Sequence, residues 1–193
     1  MKLAISVPIG AWHKQLPTTI SSLILQRADL EIAILDASND SRVRGLIEQF
    51  STHFAYVRHG PDHGQSDAII EGWENTKSDW LGWLNADDAL LPGAIKKVRN
   101  RLQDDPSIDV LYGHSIIRDD DDRFIGYHFN VEPPGPRLLE AGIISQPSCF
   151  FRRGAYDRIG GLNRDLHYVM DWDLWIRMYR DNAKFAFINQ PLS

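Results

Sequence analysis

At 193 residues, 43% hydrophobic and 24% charged, the chain has the size and composition of one globular domain with an ample core, which excludes large-scale disorder. A formal net charge of −5 excludes the basic face of a general nucleic-acid binder, while leaving room for a local basic cleft that holds one nucleotide. The single cysteine, Cys149, excludes an internal disulfide and, with no Cys/His pair at metal spacing, a zinc site; a reducing cytoplasmic setting is compatible.

Leu3 to Pro8 is an apolar run preceded by one lysine and interrupted by Pro8, so it reads as a first strand and not as a secretory signal. Pro17, Ile20, Leu23, Ile24 and Arg27 give a helical pattern with proline in the first turn. Glu31 to Asp36 is a second strand, and Val43, Leu46, Ile47 and Phe50 fall at the spacing of one helix face. Phe54 to Val57 reads as a third strand and Ala68, Ile69, Gly72 and Trp73 as a third helix stripe. Trp80 to Trp83 is a fourth, buried strand, and Ile95, Val98 and Leu102 mark a fourth helix, with Pro92 at its start. Four strand–helix units imply a mostly parallel α/β sheet covered by helices on both faces.

After a strand at Ile108 to Tyr112 the rhythm changes. Ser115 to Arg118 and Arg123 to Phe129 flank Asp119-Asp120-Asp121-Asp122, a hairpin with an acidic tip. That run lacks the glycine and liganding glutamate of a calcium loop, so a solvated turn is expected. Glu132-Pro133-Pro134-Gly135-Pro136 is a stiff seam, followed by a short helix near Arg137 to Ala141, a strand near Ser148 to Phe151, a helix from Asp171 to Arg180 and a last strand at Lys184 to Ile188. No run approaches the roughly twenty apolar residues of a membrane-spanning helix, so the expectation is a soluble or at most peripheral chain.

The chemistry-bearing residues cluster where strands end. Asn85-Ala86-Asp87-Asp88 follows the fourth strand, at the sheet edge where open α/β sheets bind ligands, and Asp87 and Asp88 are hard oxygen donors suited to Mg²⁺ or Mn²⁺. A plain turn that caps the next helix is the competing reading. Asp36-Ala37-Ser38-Asn39-Asp40 ends the second strand at the same edge, as a nucleobase or ribose contact or as an Asx-type turn. Asp67 sits at the start of the third helix, whose free N–H groups favour a phosphate or a carboxylate cap. His59 and His63 flank the neighbouring loop and read as surface positions.

Taken together, these segments resemble the inverting family 2 glycosyltransferases of bacterial-polysaccharide type, which have the GT-A fold. The resemblance runs nearly end to end. It rests on Asp36-Ala37-Ser38-Asn39-Asp40, Gly64-Gln65-Ser66-Asp67-Ala68-Ile69, Trp83-Leu84-Asn85-Ala86-Asp87-Asp88, Gln146-Pro147-Ser148-Cys149-Phe150-Phe151-Arg152-Arg153, Ile159-Gly160-Gly161-Leu162 and Met170-Asp171-Trp172-Asp173-Leu174-Trp175-Ile176-Arg177.

The resemblance implies one domain over 1–193, with a nucleotide-sugar-binding half over 1–113 and a smaller, antiparallel acceptor and catalytic-base half over 114–193. It implies a Mn²⁺ or Mg²⁺ ion held by Asp87, aided by Asp88, that bridges the donor diphosphate. Pro8 and Asp36 would line the nucleobase pocket, most often for uracil, with Asp67 and Asn85 near the ribose or the sugar. Asp171 would be the general base, with Asp173 as understudy and Gln146 and Trp172 on the acceptor side, while Arg177 anchors a loop or pairs with a carboxylate and Trp175 packs in the core. The implied partners are a nucleotide-sugar and a glycan or lipid-linked acceptor, at the cytoplasmic side and, for lipid-linked acceptors, against the membrane face; the oligomeric state is not read.

Three departures stand out: Pro8-Ile9-Gly10-Ala11-Trp12 replaces the usual Pro-Thr-Tyr-Asn, Asn85 replaces the first Asp of D-x-D, and the chain stops at Ser193, where relatives continue into a segment with a metal-binding histidine. The last implies C-terminal truncation and keeps open a domain that binds nucleotide or glycan without turnover. A sugar-phosphate nucleotidylyltransferase is disfavoured, because Pro8 to Lys14 lacks its Gly-rich, Arg-containing loop.

Overall fold

The computed structural model describes residues 2–26, 30–132 and 134–193, so the helical position expected for Arg27 and the Pro133 of the stiff seam lie outside the described residues. The first half alternates β1 (Leu3–Ile9), α1 (Leu16–Ile24), β2 (Leu30–Asp36), α2 (Ser41–Gln49), β3 (Tyr56–His59), α3 (Gln65–Glu74), β4 (Trp80–Trp83) and α4 (Ala94–Asp104). The second half holds β5 (Val110–Arg118), β6 (Phe124–His128), β7 (Cys149–Arg152), α5 (Arg153–Arg158), α6 (Met170–Arg180) and β8 (Phe185–Pro191).

All strands join one sheet of order β3-β2-β1-β4-β7-β5-β6, with β8 beside β5. Strands β1 to β4 are mutually parallel, as the strand–helix alternation requires, so their carboxyl ends share one edge. β7 then runs antiparallel to both β4 and β5, β6 is antiparallel to β5, and β8 is parallel to it. The chain moves outward from β1 through β2 to β3, then crosses to β4 on the other side of β1. That reversal opens a crevice between the ends of β1 and β4.

Side-chain alternation sorts the core into two layers. Leu3, Ile5, Val7 and Ile9 of β1 face Leu16, Ile20 and Leu23 of α1, Val43 and Ile47 of α2, and Ile95, Val98 and Leu102 of α4. Ala4, Leu81, Trp83, Val110, Tyr112 and Phe151 face Ile69, Ile70 and Trp73 of α3 and Leu174, Trp175 and Met178 of α6. The central strands are buried on both faces, which is why they read as continuous apolar runs.

Helix α3 lies close on β1. A Cβ at Gly72 would meet the Ser6 hydroxyl at once and Leu35 Cδ2 at 2.9 Å, and Ser6 is held in place by donating to the Ile69 carbonyl at 3.0 Å. Gly72→Ala is therefore expected to destabilise the fold by about 1–3 kcal/mol despite alanine's better helix propensity, read as a lower urea midpoint at unchanged m-value.

Several boundaries differ from the sequence expectation. The third strand is Tyr56–His59 and not Phe54 to Val57, because Ser51–His53 forms a 3₁₀ turn capped by Phe54. The two strands expected at Ile108–Tyr112 and Ser115–Arg118 are one nine-residue strand, β5, whose register against β8 shifts at Gly113/His114. α4 starts at Ala94 after a left-handed Gly93 (φ 75°), so Pro92 precedes the helix and does not open it. The segment near Arg137 is a 3₁₀ turn, Gly135–Leu139, and α5 has no counterpart in the sequence reading. Among the described residues no helix is long and apolar enough to cross a membrane.

Candidate active site

The carboxyl edge of the parallel strands gathers the residues singled out above. Pro8, Asp36 and His59 stand at the ends of β1, β2 and β3, with Ile9 paired to Asp36 and Asp36 to His59 in register. Asp36 is buried. Its Oδ1 accepts from the Ser38 amide (2.9 Å) and hydroxyl (2.5 Å), and its Oδ2 lies 2.8 Å from His59 Nδ1. Burial alone would raise the Asp36 carboxyl, but the Ser38 hydroxyl, His59 and the Ser38 amide together hold it below its ordinary value. The Asx-type turn expected here is therefore present. Asp40 caps α2 by accepting from the Arg42 amide at 2.8 Å, and the Arg42 guanidinium lies 4.9 Å over the Trp12 ring.

At the end of β4, Asn85 joins the two halves. Its Oδ1 accepts from Gln65 Nε2 at 2.7 Å, at the first turn of α3, and its Nδ2 donates to Gln146 Oε1 at 3.4 Å. The buried Gln146 in turn donates to the Trp83 carbonyl at 2.8 Å. Asp87 is exposed and Asp88 half-buried. Burial and the neighbouring Asp87 charge push the Asp88 carboxyl up to about 6, against two hydrogen bonds from Asn85. Two adjacent carboxylates that repel each other are a donor set whose strain a divalent ion would relieve. Among the described residues no group of three or more His, Cys, Asp or Glu stands ready to hold a metal, so water and phosphate oxygens would complete the shell.

A second junction brings up α6. Ser66 of α3 donates to the Leu166 carbonyl at 3.0 Å and lies 2.8 Å from Met170 Sδ, while Asp67 pairs with Arg164. α6 begins at Met170, one residue before the start read from the sequence. The cap is Val169, which at φ 52° adopts a backbone conformation unusual for a β-branched residue. Asp171 thus lies inside the first turn, where burial raises its carboxyl despite hydrogen bonds from backbone amides. Its charge adds to the burial that raises the Cys149 thiol of β7.

The other α6 residues are engaged by protein. Trp172 Nε1 donates to the Leu138 carbonyl at 2.6 Å, and Asp173 receives Arg177 at 2.8 Å. Arg177 also donates to the Ile159 and Gly161 carbonyls, the loop anchor expected of it, and Trp175 stacks on Trp83 in the core, 6.0 Å between rings.

A cleft of about 660 Å³ opens between α1, the loop after β4 and the β5–β6 hairpin, lined by Asp87, Asp88, His13, His128, Ser115 and Ser193 among others. It takes in the two carboxylates after β4; Asp36, Asp67, Asn85, Gln146 and Asp171 are not among its lining residues. The acidic tip is more than a solvated turn: Asp119 accepts from the Asp121 and Arg123 amides at 2.9 Å, Lys14 donates to the Asp120 carbonyl, and Gln15 donates to Asp122 at 3.1 Å. Gln65, Ser66 and Arg164 join the site without having been given a role from the sequence, and His59, read there as a surface position, meets the buried Asp36. Only the placement of Gln65 and Ser66 at a helix start signalled them in advance.

A mostly parallel sheet that gathers acidic loops at its carboxyl edge and is extended by antiparallel strands defines the GT-A class of folds. A family model described as Glycosyl transferase family 2 matches residues 12–160, and the chain belongs to that family.

Among curated relatives it is 26% identical over 198 residues to an uncharacterized glycosyltransferase of Haemophilus influenzae, covering 99% of this chain and 67% of that one. It is 27% identical over 173 residues to a PGL/p-HBAD biosynthesis glycosyltransferase of Mycobacterium bovis, covering 87% and 66%. Among solved structures it superposes on S. aureus TarS 1–349 in complex with UDP with a TM-score of 0.79 at 17% identity, over 100% of this chain and 59% of that one. The mannosyltransferase PcManGT of Pyrobaculum calidifontis, in complex with GDP-Man and Mn²⁺, gives 0.69 at 16% identity, over 98% and 54%. The chain thus spans about two thirds of the length of these curated relatives.

Proposed function

We propose that the protein moves a sugar from a nucleotide-sugar, UDP-linked, to a hydroxyl of a glycan or lipid-linked acceptor by single displacement with inversion. The observation that carries this reading is the Gln65–Asn85–Gln146 chain of hydrogen bonds, which ties the start of α3 and the segment before β7 to the end of β4, beside Asp87 and Asp88. TarS with UDP and PcManGT with GDP-Man support the donor class.

In this reading Pro8 and Asp36 frame the nucleobase, and Asp67 and Asn85 stand near the ribose or the sugar. Asp87, with Asp88, would hold Mn²⁺ or Mg²⁺, which when bound supplies positive charge to the departing diphosphate. The acceptor oxygen forms its bond to the anomeric carbon as the carbon–phosphate-oxygen bond breaks, the diphosphate leaves with that electron pair, and the acceptor proton passes to Asp171. Asp171 suits the role because burial makes it a stronger base than a free aspartate. Gln146, Trp172 and Asp173 shape the acceptor side, and a peripheral site at the cytoplasmic membrane face fits a lipid-linked acceptor. Calorimetry with UDP tests the reading: binding in Mn²⁺ that is lost in EDTA and in Asp87→Ala is expected, and equal binding by both proteins overturns the metal assignment.

A further inference from the structure

The pairing of Asp36 with His59 bears on how the base is read, an inference that rests on the nucleotide-sugar reading above. Asp36 is 1% exposed, and both its oxygens already accept hydrogen bonds from protein. The His59 side chain, one strand further along the same edge, is 36% exposed. An ionised carboxylate can only accept, so the hydrogen between Asp36 Oδ2 and His59 Nδ1 belongs to the histidine. In the neutral ring this leaves the lone pair on Nε2, which among the described residues makes no hydrogen bond.

The charged groups around the ring are otherwise committed. Arg58, its neighbour in β3, pairs with Glu71 of α3 and with Asp62 of the following loop, and Arg42 of α2 pairs with Asp40. The half-buried Trp12, under Arg42, offers an aromatic face from the loop after β1.

The geometry points to His59 as the residue that reads the nucleobase, with Asp36 as the positioning group that fixes its tautomer. A lone pair on Nε2 selects bases with a ring N–H on their pairing edge, uracil and guanine. It rejects cytosine and adenine, which present a ring lone pair there and would leave two acceptors facing each other.

The test is the ratio of UDP to CDP affinity in Mn²⁺ at pH 8. The native protein is expected to prefer UDP by about tenfold or more. His59→Ala should bring the ratio near one. His59→Gln, whose amide can donate to Asp36 and accept from the base, should keep the preference. Asp36→Ala, which frees the ring, should weaken it. A UDP preference that ignores the His59 substitutions, in variants with native circular dichroism, overturns the assignment while leaving the donor reading intact. A native protein that binds no nucleoside diphosphate sinks the donor reading and this inference with it.

Discussion

Asp171→Asn is expected to lower turnover about 10²- to 10⁴-fold while UDP affinity in Mn²⁺ stays within about twofold. Asparagine keeps the shape of the side chain and its hydrogen bonding from backbone amides but cannot take up the acceptor proton. A loss confined to turnover therefore separates a base from a merely structural carboxylate. Because Asp171 lies in the first turn of α6, removing its charge also costs a favourable interaction with the helix N-terminus, so the variant should be compared at a temperature well below its own melting point. Burial raises the Asp171 carboxyl above its ordinary range, and the acid limb of the rate profile should accordingly lie above the value of about 3.9 for a free aspartate. An Asp171→Asn protein that turns over at the native rate would remove this residue from the mechanism.

Asp88→Asn is expected to stabilise the metal-free protein at pH 7 to 8, by up to about 3 kcal/mol, and to have no such effect at pH 4. The sign follows from the direction of the shift. Burial and the Asp87 charge lift the folded-state carboxyl from 3.8 to about 6, so between those values the folded chain binds a proton the unfolded chain has released. Native stability then falls as pH rises through that window, and the asparagine, neutral throughout, escapes the fall. Mn²⁺ should reverse the order: it stabilises the native protein at pH 7 by binding the ionised pair, stabilises Asp88→Asn less, and loses its grip as pH drops below about 6. Thermal melts across pH with and without Mn²⁺ read both effects, and a pH-independent difference would show that Asp88 is not strained by its neighbour.

The first half was legible in the sequence because a parallel sheet buried on both faces writes itself as apolar runs ending in polar loops. The Trp80–Asp88 stretch gave both the strand and the carboxylates after it. Errors fell where local chemistry overrides periodicity. Gly93 can take a left-handed conformation that a proline-initiated helix does not anticipate, and β5 is one strand despite Gly113 and His114 because β7, β8 and β6 pair along its length. The six-residue α5 is too short to show a period. At the site, end-of-strand position picked out Asp36, Asn85 and Asp87. The contact of His59 with Asp36 was not visible, since it depends on the register of β3 against β2, and the strand itself began two residues later than its apolar residues suggested.

The clasp of Lys14 and Gln15 on the acidic tip spans 106 and 107 residues of sequence, and its effect is architectural. It makes the hairpin a buttress for the loop that leaves β1, so the segment carrying Trp12 moves only as far as that buttress allows. Remodelling of the tip would thus be felt at the mouth of the crevice, since Asp119, Asp120 and Asp122 line the same cleft as Asp87 and Asp88.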